Sequence, residues 1–328
     1  MCPGRGGSLR RSLLFLLLAA CAARPTVLDR FEQVAGPLPD ASRTVPLDLR
    51  VHEETRLETY TRRSVTFAVE EGDRVTAFLL VPHELRSRVP AMLCIHQTTA
   101  MGKKEPAGMG VKNLAYAAEL AERGFVTLAP DYPNYGDYKV DAYAKGYASA
   151  TMKGIWNHMR SVDLLQSLPE VDPGRIGVIG HSLGGHNSIF VAAFDPRIKA
   201  VVSSCGFNAF PKYMKGNLKG WSHKGYMPRI AEVYGADAAK MPFDFPQLVA
   251  SLAPRAFFIN APIGDSNFEV SGVKDCVDFA RPVYESMGAG GALVAVHPDC
   301  GHDFPQEVRT QAYVFVEKAL GFTRANHE

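Results

Sequence analysis

A lone serine stands between two glycines in the sequence GHSLG at residues 180–184. An apolar run at residues 176–179 precedes it and small residues follow it, a pattern that predicts a strand, a sharp turn and a helix. Glycines two residues before and after the serine allow the strand and the helix to pack closely around a strained backbone. The pattern therefore predicts that the Ser182 hydroxyl is exposed as a nucleophile.

A serine hydroxyl attacks a carbonyl only when a base removes its proton and an acid orients that base. In proteins with such a turn the chain order is serine, carboxylate, histidine, each after a strand of a parallel sheet. His302 follows the last predicted strand, at 292–296, and is the predicted base. Asp265 is the first carboxylate after the strand at 256–260 and is the predicted acid, with Glu269 left open as an alternative.

The other histidines are assigned no catalytic role. His297 is still at the end of a strand and is interpreted as structural, and His158 and His223 as surface or pocket wall. His181 and His186 flank the serine, and helical geometry predicts that they point elsewhere.

Attack on a carbonyl creates an oxyanion, which backbone N–H groups can stabilise. Leu183 follows the serine at the predicted start of a helix, so its N–H is one expected donor. The second is expected from the loop after the strand at 91–95, through the main chain of Gln97.

Strands and helices that alternate along the chain must position these groups. A hairpin at 59–69 and 75–81 opens the pattern, and later strands alternate with helices up to a final helix at 306–320. This order predicts an α/β fold with a mainly parallel sheet and helices on both faces. The segment at about 207–245 has no clear hydrophobic period of a helix or a strand. It is interpreted as a small cap insertion over the carboxyl edge of the sheet. The alternative is a surface excursion with its own small core.

Aromatic residues near this edge are candidates for the substrate pocket. Trp221 and Tyr226 lie in the cap, and Tyr135 lies in a turn-rich segment after the strand at 125–129. Pocket walls are typically apolar and aromatic, with a few polar groups that orient the ligand.

The first twenty residues have the pattern of a signal peptide: arginines, an apolar stretch at 13–20 and no acid. Cys21 follows Leu18, Ala19 and Ala20, an arrangement that resembles a bacterial lipobox and favours a lipid anchor at Cys21. Cleavage at the small residues would instead release a secreted protein. The sequence thus predicts export, to the periplasm or as a membrane-anchored lipoprotein. Residues 21–55 are interpreted as a tether or N-terminal arm and 56–328 as the main domain.

Composition excludes several other classes. The formal net charge is +2, and its basic excess lies in the leader, so no basic surface for nucleic acid is predicted. No cysteine pair has the spacing of a structural metal site. Cys94 and Cys205 lie in apolar runs and are interpreted as small buried hydrophobes. Cys276 and Cys300 flank the loops of the predicted acid and base, and a disulfide between them is a hypothesis.

Five segments of the chain together resemble the bacterial α/β-hydrolase esterases of the dienelactone hydrolase-like and acetyl xylan esterase-like group. They are CIHQT at 94–98, GKKEP at 102–106, DYP at 131–133, GHSLGGH at 180–186 and CGHDFP at 300–305. The resemblance covers most of the chain from about residue 56. It implies an α/β-hydrolase fold. Dienelactone hydrolases use a cysteine nucleophile where this chain has Ser182, so lactone specificity is not implied.

The residues and the resemblance together predict a serine carboxylesterase that acts on a small or carbohydrate-linked ester through an acyl-enzyme. Neither a metal nor an organic cofactor is needed for that chemistry. Two alternatives stay open: a serine peptidase of the prolyl oligopeptidase type, and a non-catalytic tethered binding protein. The sequence does not reveal the oligomeric state.

Overall fold

The computed structural model describes Met1 and residues 25–323. The signal peptide predicted at 1–20 and the candidate lipidation site Cys21 lie mostly or wholly outside these residues. Among the described residues, no helix combines the length and apolar character that a membrane span needs.

Nine strands form one sheet in the order β1-β2-β3-β5-β4-β6-β7-β8-β9. The strands are β1 Arg50–Arg56, β2 Tyr60–Glu70, β3 Asp73–Pro82, β4 Val89–Ile95, β5 Val126–Pro130, β6 Val171–His181, β7 Ile198–Ser204, β8 Ala256–Asn260 and β9 Leu293–Val296. The pairs β1–β2, β2–β3 and β3–β5 are antiparallel, and all pairs from β5 to β9 are parallel. The predicted hairpin and mainly parallel sheet are therefore observed.

Helices cover both faces of this sheet. They are α1 Val27–Ala35, α2 Tyr116–Glu122, α3 Ala150–Ser167, α4 Leu183–Phe194, α5 Arg229–Glu232, α6 Phe245–Ser251, α7 Val270–Ser286 and α8 Gln306–Ala319. Side chains alternate along each strand, so β4 sends Leu93 into one core cluster and Met92 and Cys94 into the other. Helices α2 and α8 pack on the second cluster, and α1, α3, α4, α6 and α7 on the first.

Of the two interpretations of residues 21–55, a tether does not agree with the part that the structure describes, residues 25–55, whereas an N-terminal arm does. Helix α1 begins at a capping box in which Thr26 and Asp29 bond each other's backbone. Its Phe31 is fully buried, with ring centroids 4.9 Å from Phe190 and 4.8 Å from Phe243. Strand β1 then adds an edge to the sheet. This segment is part of the main domain because its apolar face is needed to complete the core.

The cap segment at 207–245 contains short helical turns and the four-residue helix α5. Its aromatic side chains pack mainly on one another and on α6: Phe207 and Phe210 each lie within 5.5 Å of the Phe245 ring. Asp244 joins this segment to α6, since its carboxylate accepts the N–H groups of Phe210 and Phe245. These side chains belong to the same buried cluster as the first face of the sheet, so the segment extends the main core and does not form a separate one.

Candidate active site

The turn from β6 into α4 has the strained geometry that the glycine spacing predicts. Ser182 has φ of 53° and ψ of −115°, in a region that side-chain-bearing residues rarely adopt. A Cβ at Gly184 would overlap the carbonyl oxygen of Ile95, and one at Gly180 would overlap the backbone of Gly184. The Ser182 N–H donates to the Ser204 carbonyl oxygen at 2.8 Å, which fixes the turn to β7.

The predicted acid and base lie in direct contact. Nδ1 of His302 is 2.9 Å and 3.0 Å from the two carboxylate oxygens of Asp265. Asp265 is only 4% exposed, and its Oδ1 also accepts the N–H groups of Asn267 and Phe268. Burial acts to raise the pKa of Asp265, but the bond from His302 and the two backbone N–H groups outweigh it and hold the pKa below its ordinary value. The carboxylate therefore stays ionised and fixes the tautomer of His302.

The alternative acid has different surroundings. Glu269 is exposed at the start of α7, and its carboxylate accepts the hydroxyl of Ser271 at 2.5 Å. The geometry favours Asp265 as the partner of His302.

His181 packs against the predicted base, contrary to the expectation that it points elsewhere. The His181 and His302 ring centroids are 4.8 Å apart in an edge-to-face arrangement. His181 ends β6, so its side chain extends from the strand and not from α4, and this is why helical geometry gave the wrong direction. Its Nδ1 lies 2.9 Å from the Ser204 hydroxyl, and burial lowers its pKa to about 3. A neutral ring thus lies beside His302.

Two residues with no predicted catalytic role, Asn260 and Cys205, form hydrogen bonds around His181 and His302. Asn260, at the end of β8, donates to the Ser204 hydroxyl at 2.8 Å and to the Asp303 carbonyl at 2.9 Å. Cys205 directly follows β7 with φ of 47°, and its thiol donates to the same carbonyl at 3.3 Å. These contacts hold the loop of His302 against β7 and β8. Their position at strand ends, next to a predicted site, is the only sequence signal that could have found them.

The two predicted oxyanion donors follow neighbouring strands of the sheet, β6 and β4. Leu183 is the first residue of α4, where an N–H has no acceptor within the helix. Gln97 follows β4 and is held through His96, whose Nδ1 lies 2.6 Å from the Gln97 carbonyl oxygen. Nε2 of His96 accepts the Tyr132 N–H at 3.0 Å, so Nδ1 must carry the proton and donate to Gln97. His96 thereby fixes the peptide after Gln97 and the direction of the loop.

We expect His96→Phe to lower kcat by about 10- to 100-fold, because the donor loop loses the hydrogen bond that orients it. The Tyr132 N–H also loses its acceptor, at a cost of about 1–3 kcal/mol in the free energy of unfolding. Steady-state kinetics and urea unfolding of the same preparation measure both effects. An unchanged kcat in a folded variant would show that His96 does not orient the donor loop.

The three predicted pocket residues have unequal exposure. Tyr135 lines an open cleft of about 910 Å³, together with Tyr143, His223 and Lys224. The Tyr226 hydroxyl is 3.2 Å from that of Thr98, in the donor loop. Trp221 is only 3% exposed and packs against His186, with ring centroids 4.7 Å apart. Trp221 is thus the most buried of the three, and contact of any of them with substrate stays a prediction.

The hypothesis of a disulfide between Cys276 and Cys300 is wrong. Both residues are free thiols, as are Cys94 and Cys205. Cys276 lies on the buried face of α7 inside the core, whereas Cys300 is partly exposed in the loop before His302. Proximity of the two loops along the sheet edge does not bring these side chains together.

The burial of His158 allows a prediction of how the stability of the fold depends on pH. It is 1% exposed on α3, and neither ring nitrogen has a hydrogen-bond partner. Burial lowers its pKa to about 3. Because the unfolded chain binds this proton more readily, the stability should fall as the pH drops from about 6.5 towards 3, by about 1.4 kcal/mol for each unit between the two pKa values. We expect His158→Phe to make this loss shallower in urea midpoints measured across that pH range, while the contributions of His181 and His186, whose pKa values burial also lowers to about 3, remain. An acid response identical to that of the unaltered protein would contradict this.

Comparison with known proteins gives a family match. A family model described as "Glucuronyl esterase, fungi" matches residues 69–288, which include Gln97, Ser182 and Asp265. "Putative hydrolase YtaP" of Bacillus subtilis (strain 168) is 25% identical over 88% of this chain and 97% of its own. The 4-O-methyl-glucuronoyl methylesterase of Hypocrea jecorina (strain QM6a) is 25% identical over 55% of this chain, which spans only 43% of that relative.

Solved structures show the same fold. A glucuronoyl esterase from Solibacter usitatus superposes with a TM-score of 0.72 at 18% identity, over 90% of this chain and 91% of that one. Acetyl xylan esterase 1 from Thermoanaerobacterium sp. JW/SL YS485 superposes with a TM-score of 0.60 at 18% identity, over 89% and 92%. The predicted α/β-hydrolase fold and the resemblance to its esterases are confirmed.

Proposed function

The chain belongs to the family described as "Glucuronyl esterase, fungi" and is a carboxylic ester hydrolase, and from this premise we propose that it is a serine esterase acting on a carbohydrate-linked ester. The observation that carries the proposal is the family match, together with the Asp265–His302 pair and the strained turn at Ser182, whose neighbour His181 packs against His302.

The proposed reaction is acyl transfer in two halves. Ser182 Oγ attacks the ester carbonyl while Nε2 of His302 takes the hydroxyl proton, and the N–H groups of Leu183 and Gln97 bind the oxyanion. His302 then gives that proton to the departing alcohol as the ester C–O bond breaks. Water enters, His302 removes its proton, and attack on the acyl-enzyme releases the acid and restores Ser182. Asp265 stays ionised throughout and balances the charge of the protonated imidazole.

We propose further that the acyl part is a sugar carboxylate, as in an ester of glucuronic acid. Support comes from the family description and from the names of relatives, including the 4-O-methyl-glucuronoyl methylesterases. The wide cleft, which reaches the donor loop through Tyr135, 5.7 Å from His96 between ring centroids, suits a carbohydrate chain because it combines aromatic rings with polar side chains such as Asn134 and Lys224. An acetyl ester is the other class, since an acetyl xylan esterase shares the fold.

Two matched substrates test this assignment. We expect the methyl ester of glucuronic acid to have a kcat/KM at least about tenfold above that of acetylated xylan fragments, a difference of about 1.4 kcal/mol in transition-state binding. Methanol and acetate release are measured separately on the same enzyme preparation. The reverse order would replace the uronate assignment by an acetyl esterase. Turnover of neither substrate, with a good aryl ester still cleaved, would contradict a carbohydrate substrate.

We also propose that the protein is exported, with Cys21 as a lipidated residue. The support is the pattern of residues 1–20 and the LAAC sequence at 18–21. Mass spectrometry of the mature N-terminus from a bacterial host tests it, with Cys21→Ser as the matched control. A diacylated Cys21 is expected, whereas a mature chain that still begins at Met1 would contradict export.

A further inference from the structure

The base His302 shares its surroundings with two other metal-binding side chains. One ligand atom from each of His181, Cys205 and His302 lies within 4.8 Å of the others. Two imidazole nitrogens and one thiolate form a ligand set that suits Zn²⁺ and similar soft cations. Around a bound zinc ion such atoms would lie about 3.3–3.8 Å apart, so the side chains need to close by about 1 Å.

The hydrogen bonds around these side chains already have the form seen at metal sites, where a ligating histidine uses its second nitrogen to bond an oxygen. Nδ1 of His302 bonds the Asp265 carboxylate, and Nδ1 of His181 bonds the Ser204 hydroxyl. Coordination through Nε2 of each ring would leave both of these Nδ1 bonds intact. Asn260 in turn donates to the Ser204 hydroxyl, so the hydrogen-bond partner of His181 is itself held in place.

Cys205 can give up its thiol proton without leaving a buried acceptor unpaired. Its thiol donates to the Asp303 carbonyl, but Asn260 donates to the same oxygen at 2.9 Å. Coordination would release the proton to solvent and form the sulfur–metal bond. Access is from the side of His302, whose side chain is 27% exposed, since His181 and Cys205 are 1% and 2% exposed.

We propose that His181, Cys205 and His302 form a binding site for a soft divalent cation such as Zn²⁺ or Cd²⁺, and that its occupation blocks turnover. A fourth position is left for water. The block rests on the proposed role of His302, because a coordinated Nε2 has no lone pair with which to accept the serine proton. The binding itself does not depend on that role.

Titration of the full chain with CdCl₂ tests the site, because a thiolate bound to Cd²⁺ gives an ultraviolet charge-transfer band. We expect one equivalent to produce the band while turnover falls, and EDTA to reverse both changes. Ser182→Ala should keep the band although it is inactive. In Cys205→Ser the affinity should fall by at least about tenfold and the band of that equivalent should be lost.

Controls separate this site from other thiols. Cys300→Ser removes the partly exposed thiol of the same loop and should leave both the band and the inhibition unchanged. In the unprocessed chain used for the titration, Cys2 and Cys21 are present in every variant, so differences between variants do not come from these two thiols. If Cys205→Ser fails to fold, as judged by its thermal transition, His181→Gln is used and should weaken Cd²⁺ binding similarly. Wild-type affinity in a folded Cys205→Ser or His181→Gln would overturn the site, and binding without loss of turnover would overturn the block.

Discussion

Replacing Ser182 with alanine is expected to lower kcat on any ester substrate by about 10⁴-fold or more, because no other side chain would supply the attacking oxygen. Residual turnover would come from the oxyanion donors and from substrate binding, which persist without the nucleophile. Steady-state kinetics measure the loss of kcat, and covalent labelling with a fluorophosphonate measures the loss of the nucleophile. The label should be absent from the variant.

Ser161→Ala is the matched control for that variant. Ser161 is buried on α3, and its hydroxyl donates to the Asn157 carbonyl oxygen of its own helix at 2.9 Å. This variant should keep its labelling and change kcat by less than about twofold, while losing about 1 kcal/mol of stability. Full activity in a folded Ser182→Ala protein would falsify the serine mechanism.

Asp265→Asn should be the second large effect, with kcat reduced by about 10³- to 10⁴-fold. The amide keeps the size of the carboxylate but can present an N–H to His302, which turns the ring into the wrong tautomer and leaves its positive charge unbalanced. Glu269→Gln is a matched change of acid to amide four residues later, and its exposed side chain contacts Ser271. We expect Glu269→Gln to stay within about twofold of the unaltered enzyme.

A comparison of kcat and KM distinguishes positioning of the base from a general loss of structure. Asp265→Asn should leave KM nearly unchanged, because the carboxylate contacts the base and not the substrate. A loss in Glu269→Gln with Asp265→Asn unaffected would transfer the role of the acid to Glu269, and equal losses in both would contradict Asp265 as the sole partner of His302.

The elements with strong local signals could be predicted from the sequence. Strand β8 at Ala256–Asn260 has the predicted bounds, and α8 at Gln306–Ala319 ends one residue before the predicted end. Their signals are buried apolar runs and apolar residues at helical spacing, which are local properties of the chain. The turn at Ser182 was predictable for a similar reason, since close packing at Gly180 and Gly184 leaves room for glycine only.

Other features depend on contacts between distant residues. Strand β1 has almost entirely exposed side chains and no apolar alternation, so only its pairing with β2 makes it a strand. Helix α1 and helix α6 are short, and their N-caps Thr26 and Asp244 were the available signals. The contact of His181 with His302 joins residues 121 positions apart and has no local signal. These contacts within the site could therefore be found only from the three-dimensional structure and not from the sequence.

Helix α1 also makes the region around the serine sensitive to events near the N-terminus. Phe31 packs between Phe190, on the helix that follows the serine, and Phe243, in the cap segment. Cleavage by a protease within residues 27–35 would disrupt the packing of Phe31 against both Phe190 and Phe243. Loss of activity would then accompany cleavage about 150 residues away from the nucleophile along the chain, with every proposed catalytic side chain still present.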